Sequence, residues 1–202
     1  MKFLRYIEAF KSLNNDTQNT YLIRPNISFN KALEIKQIFN EITENDFIVS
    51  DKGGYMTIIE TSDKFKSAIN ILNTTLEKPL NINISFTAAI EYDNFNRIDF
   101  ESGIPDELKG LKIGYKVYMA ICKFYGYIST MDGVTHFAKN LWYSIVHDSN
   151  FFVIVNKKRT LLIDKGFANI NAIVEQFLKQ YPESDLDPEL NEFLNGKMDI
   201  NK

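Results

Sequence analysis

The stretch Ile104-Pro-Asp-Glu-Leu-Lys-Gly-Leu-Lys-Ile-Gly114 decides how the rest of this chain is read. Pro105 fixes a turn, and Gly110 and Gly114 follow within ten residues. Across this junction the apolar spacing changes from the strand-like Arg97–Ser102 to a helix-like run that extends from about Asp106 to Tyr125. A strand that leaves a Gly-bearing turn as a helix presents first-turn backbone N–H groups with no intrahelical acceptor, and such groups can hold a phosphate.

Downstream, Tyr127–Thr130 reads as a short strand and Val134–Val146 as a helix. Phe151–Asn156 and Thr160–Ile163 read as two strands around the turn Lys157-Lys158-Arg159. Ile170, Ile173, Val174, Phe177 and Leu178 recur at helical spacing, and Asp187-Pro188 marks the start of one more short helix in an acidic tail. Upstream, Leu80–Tyr92 is rich in β-formers and turns at Asp93–Asn96. Phe65, Ala68, Ile69, Leu72 and Leu76 predict a helix capped by Thr61, Ser62 or Asp63 and ended by Pro79. Phe47–Ser50 and Tyr55–Glu60 flank Asp51-Lys52-Gly53-Gly54, a hairpin signal; no helix follows it, so a phosphate loop is not read there. Ala32, Ile35, Ile38, Phe39 and Ile42 give one helical face. Tyr21–Arg24 is a candidate strand, and Phe3, Tyr6, Ile7, Phe10 and Leu13 form an amphipathic amino-terminal helix.

Strands interrupted by single helices predict an α/β (α+β layered) fold with a mixed, mostly antiparallel central sheet flanked by helices. The expected organisation is a helix and connector over 1–19, one α/β domain over 20–165 and a helical tail over 166–202. The 45% hydrophobic and 24% charged composition is that of a globular protein. The high aromatic share reads first as core, with an aromatic-lined groove as the alternative. A net charge of −3 argues against a general nucleic-acid binder, which carries a basic stripe. Lys157-Lys158-Arg159 with Phe151 and Phe152 is the one weak case for such contact, and a solvated hairpin tip is the plainer reading. The single cysteine, Cys122, lies among apolar neighbours and reads as core filler. No apolar run approaches bilayer length and the amino terminus is too charged for a signal peptide, so a cytoplasmic location without membrane partners is expected. His136 and His147 lack the spacing of a metal pair, and no metal is expected.

Arg97 to Ile163, about a third of the chain, resembles the carboxyl-terminal half of the GNAT N-acetyltransferase superfamily in its order of elements. In that family a loop of the form Arg/Gln-x-x-Gly-x-Gly/Ala opens the central helix, and its amides hold the pyrophosphate of acetyl-coenzyme A. The matching residues here are Lys109, Gly110, Leu111, Lys112, Ile113 and Gly114. Lys109 replaces Arg or Gln, Gly114 matches, and Lys112 stands where the central Gly falls. A Gly there permits positive φ and close approach, whereas Lys112 brings a side chain whose ammonium can itself pair with phosphate. The family's following helix commonly reads Asn-x-x-Ala-x-x-x-Tyr; here the positions hold Thr135, Ala138 and Trp142. An indole N–H cannot protonate a thiolate, and the neighbouring phenol, Tyr143, lies about 100° around a helix from that position.

The resemblance implies acetyl-coenzyme A as cofactor, Thr135 beside it, and transfer of an acetyl group to an amine on a small molecule or protein. Glu101, Asp99 and Tyr143 are the candidate catalytic groups; Glu91 and His136 are further candidate bases. The second reading is a GNAT-like fold kept for assembly without turnover, with protein partners docked through the terminal helices. The abundance of Lys, Asn and Ile fits AT-rich coding and would suit a phage particle or accessory protein.

Overall fold

Four phenylalanines far apart in sequence, Phe39, Phe47, Phe65 and Phe86, meet as a cluster of rings with centroids 5.4–6.4 Å apart. They organise one of two units into which the chain divides. The computed structural model describes residues 29–53, 56–75, 86–91, 95, 97–102, 111–130, 145 and 150–196. One unit comprises Asn14–Ala88 and Phe100–Ala120; the other comprises Met1–Leu13, Ala89–Asp99 and Ile121–Lys202. The fold is mixed α and β, with mostly antiparallel strand pairing.

The first unit begins, among the described residues, with α1 (Phe29–Asn40), which buries Ile35 and Phe39 as the spacing predicts. A single 3-10 turn, Glu44–Asp46, leads into β1 (Phe47–Asp51), paired antiparallel with β2 (Met56–Thr61) in the register Phe47↔Thr61 to Asp51↔Thr57. The hairpin tip turns where expected: Gly53 takes φ +76°, and its N–H donates to Asp51 Oδ1 at 2.7 Å. Helix α2 (Asp63–Thr75) buries Phe65, Ala68, Ile69 and Leu72. Its cap is Ser62, whose hydroxyl oxygen accepts from Phe65 N–H at 3.2 Å. Asp46 ties the corner together. Its Oδ1 accepts from the Ser62 hydroxyl at 2.8 Å and its Oδ2 from Thr43 N–H at 2.8 Å.

The chain continues through β3 (Phe86–Glu91) and β4 (Arg97–Ser102), then α3 (Ile113–Tyr125) and β5 (Tyr127–Ser129). Helix α3 is buried on every face from Val117 to Cys122, the mark of a helix inside a fold rather than on its surface. Cys122 is core filler, its thiol 3.9 Å from the Leu162 carbonyl oxygen. Burial, the largest cause, and the charge of Asp164 push that thiol well above its ordinary pKa, which disfavours the thiolate form that acts as a nucleophile. The helix ends at Gly126, at φ +82°, where a Cβ would stand 2.1 Å from the Phe167 ring.

In the second unit β5 is followed in space by β7 (Thr160–Asp164), β6 (Phe151–Val155) and β8 (Asp185–Leu186). The β6–β7 hairpin runs from Phe151↔Asp164 to Val155↔Thr160. Phe152, Ile154, Leu161 and Ile163 share one face of it. Against them pack Ile170, Ile173, Val174 and Phe177 of α4 (Ile170–Gln180) and Leu190 of α5 (Pro188–Leu194). Phe151, Val153 and Leu162, on the other face, are buried as well, which explains an unbroken apolar strand. Helix α5 starts at the Asp-Pro pair as expected, with Asp187 as its cap.

Three expectations are corrected. Leu111 and Lys112 are not helical, so the described part of the central helix starts at Ile113. Arg159 is no solvated turn residue: it is buried, its Nε–H donates to the Thr130 carbonyl at 3.2 Å, and its guanidinium carbon lies 5.5 Å from the Phe95 ring centre. Phe151 and Phe152 are likewise packed rather than displayed. The amino-terminal helix, Tyr21–Arg24, Pro79 and, apart from Ile145, the helix over 134–146 lie outside the described residues.

Candidate functional site

The entry to α3 is built by two buried anchors around an exposed residue. Leu111 and Ile113 are 4% and 2% exposed, while Lys112 between them faces solvent. Pinning both neighbours forces the backbone to turn sharply at Lys112, which adopts φ +56°. Among the described residues it is the non-glycine residue in the left-handed region, a conformation that costs an L-residue about 1 kcal/mol. The Lys112 carbonyl accepts from Lys116 N–H at 3.1 Å, so Lys112 occupies the cap position. The first N–H groups of any helix have no acceptor within the helix itself. A lysine side chain is a donor only and cannot cap them as Asp or Ser would.

One turn on, half-buried Lys116 donates from Nζ to the Phe39 carbonyl at 2.6 Å. Burial, first, and the charge of Lys112, second, lower its pKa from the ordinary lysine range; Lys64 adds to this, and Asp46 and Glu44 oppose it. Asp46 shifts the other way from what its burial demands. Burial raises its pKa, but the Thr43 amide, the Ser62 hydroxyl and Lys64 together outweigh that and hold it below the ordinary value. The entry to α3 therefore joins an exposed ammonium on Lys112 and a second, on Lys116, committed to the protein.

Of the residues expected at a cofactor site, Leu111, Lys112, Ile113 and Gly114 stand together at this entry. Lys109, Gly110 and Thr135 lie outside the described residues, as do Tyr143, Trp142, His136 and His147. Asp99 and Glu101 fall at alternate positions of β4, and Glu91 ends β3. Strand β5, which follows α3, pairs parallel with β4 at Arg97↔Ser129.

Sequence reasoning missed the left-handed backbone of Lys112, because a non-glycine residue carries no local signal for it. It also passed over Ser129, a fully buried residue whose hydroxyl has no hydrogen-bond partner. Among the described residues no group of three His, Cys, Asp or Glu is placed to hold a metal ion. Nor is any described helix long and apolar enough to cross a membrane. No family model, curated protein or solved structure matches the chain.

Proposed function

We propose that this protein is a GNAT-like acyltransferase that uses acetyl-coenzyme A to acetylate an amine. The observation that carries the reading is Lys112 at φ +56°. The chain keeps, with a lysine and at a steric cost, the left-handed backbone that the family's glycine would adopt freely, at the position where the family holds a pyrophosphate. The parallel pair β4 and β5, joined through α3, supports the same reading. The exposed ammonium of Lys112 at the start of a helix is a donor suited to a diphosphate.

Acetyl-coenzyme A supplies an acyl carbonyl activated as a thioester. The protein's part is to hold the diphosphate at Lys109–Gly114 and the pantetheine along β4, with Thr135 beside the cofactor. Asp99 or Glu101, directly or through water, takes the proton from the acceptor ammonium. The free amine then attacks the carbonyl carbon, the C–S bond breaks, and the departing sulfur takes a proton, for which Tyr143 is the candidate phenol.

Thermal unfolding with and without coenzyme A tests this. At a hundredfold excess over Kd a ligand selective for the folded state adds about 2.7 kcal/mol, a rise in Tm of roughly 5–10 °C for a chain of this size. An unchanged Tm at millimolar coenzyme A eliminates the proposal. The second reading, an assembly component of a phage particle or similar structure without turnover, is favoured by Thr135 and Trp142 in place of the family's Asn and Tyr. A native mass showing a stable oligomer, together with no coenzyme binding, would select it.

A further inference from the structure

The two most exposed large hydrophobic side chains among the described residues, Ile48 at 58% and Met56 at 54%, both stand on the β1–β2 hairpin of the first unit. Register and strand alternation put them, with half-buried Ile58, on the face opposite buried Phe47 and Ile59. Strand β1 has β2 on one side and no described strand on the other. Two bonds show which of its backbone groups face β2: Lys52 N–H donates to the Met56 carbonyl at 3.2 Å, and Ser62 N–H to the Asp46 carbonyl at 2.9 Å. Even-numbered residues therefore bond β2, and the backbone groups of Phe47, Val49 and Asp51 point away from it. Phe47 N–H donates to the Glu44 carbonyl, so the outer side keeps the Phe47 carbonyl and both groups of Val49. Sheet edges are commonly blunted by shortness, a bulge, a proline or a charge. The outer strand of the second unit, β8, has two residues, one of them Asp185. Strand β1 pairs without a bulge, and Phe47–Ser50 carries neither proline nor charge.

We infer that the outer edge of β1 is an interface at which a second copy of this chain adds its own β1, antiparallel and about a two-fold axis. Two identical strands paired antiparallel are isologous, so every contact is made twice. With the axis at Val49, its N–H and carbonyl bond those of Val49 in the second copy, and the Phe47 carbonyl comes opposite the Asp51 amide. The side chains agree with this register. Ile48 lies beside Ser50 of the second copy and diagonal to its Ile48, within reach across the pair. Exposed Lys52 comes opposite the acidic turn Glu44–Asp46 of the second copy. Asp51 arrives at the same end, where Lys64 of the second copy stands 3.8 Å from Asp46. This charge complementarity of the edge with itself is what selects a second copy as the occupant. The inference is independent of the coenzyme reading, since it uses neither Lys112 nor α3.

A five-residue edge is a small interface of the weak class, so sedimentation velocity of the full chain is run from about 10 μM to about 1 mM. The mass rises from that of one chain toward that of two and stops there, because the two-fold axis consumes both edges. Ile48→Lys places like charges diagonally across the axis, and Lys52→Glu sets a carboxylate against the acidic turn. Each weakens self-association about tenfold, while both exposed positions leave the Tm at the lowest concentration at its wild-type value. Amide hydrogen exchange at Val49 in wild type slows as concentration rises. A mass of one chain at the highest concentration overturns the inference. So does a dimer that both variants leave intact, or exchange at Val49 that ignores concentration, since self-association then uses another surface such as the amino-terminal helix. Should a variant fail to fold, the exchange of Val49 in wild type decides the matter alone.

Discussion

Helix α5 begins with Asp187 followed by Pro188, whereas helix α3 begins with Lys112 followed by Ile113. At α5 the cap is extended, at φ −64° and ψ 154°, and its carboxylate accepts from Leu190 N–H at 2.8 Å and from Val153 N–H at 2.5 Å. The first turn and strand β6 are thus satisfied by one internal anion. At α3 the cap is left-handed and its side chain is a cation with no acceptor. The same macrodipole end carries an anionic cap residue in one place and a cationic one in the other, and at α3 positive charge stands where a self-sufficient helix would put negative charge. A helix built only for packing gains nothing from that arrangement. An anion arriving from outside does.

Substitutions at three positions break or sharpen this contrast. The largest effect belongs to the closed entry. Asp187→Ala leaves two buried N–H groups without acceptors, and a loss of about 2–4 kcal/mol in denaturant unfolding is expected. Asp187→Asn, which keeps one acceptor, costs less. Next comes Asp46→Asn, which disturbs the bonds to Thr43 and Ser62 at the corner of the first unit, with an expected loss of about 1–2 kcal/mol. Smallest is Lys112→Gly at the start of α3. Relief of the left-handed backbone raises stability by about 0.5–1 kcal/mol, less the entropy glycine gains in the unfolded chain. A fall in stability there would mean that the Lys112 side chain supports the native fold, and the contrast would fail.

The two carboxylates also separate by pH. Asp187 is held above its ordinary pKa, by burial first, against the lowering effect of its bonds from Val153 and Leu190. Its contribution to stability is therefore greatest at low pH and declines as pH rises from about 4 through its folded value. Asp46 is held below its ordinary value. Its contribution is complete above about pH 4 and is lost as pH falls through its folded value. On acidification from pH 6 to pH 3, the stability gap between wild type and Asp187→Asn widens and that for Asp46→Asn narrows. Urea titrations at several pH values measure both gaps. The same sign for both would show that burial does not dominate at Asp187.

Elements whose cause is local were legible in the sequence. The β1–β2 hairpin follows from Asp51 and Gly53, α4 from apolar residues at three- and four-residue spacing, and α5 from Asp187-Pro188. Strand β4 carries the bounds Arg97–Ser102 that the alternation predicts. Residues in turns were misjudged because turn chemistry says nothing about what lies above the turn. Phe95 sits in a turn yet is fully buried, 5.0 Å from Phe177, and Arg159 covers its ring. Of the candidate site, the sequence identified the segment Leu111–Gly114 but not its geometry.

What the chain's own order of residues determined is its list of helices and strands, since periodicity, caps and turns act within a few positions. Three matters were decided only in three dimensions. They are the parallel pairing of Arg97 with Ser129, the burial of Arg159, and the left-handed turn that Leu111 and Ile113 impose on Lys112. Each depends on which distant surface a residue is pressed against, and pairing and burial between residues remote in sequence leave no trace in local spacing.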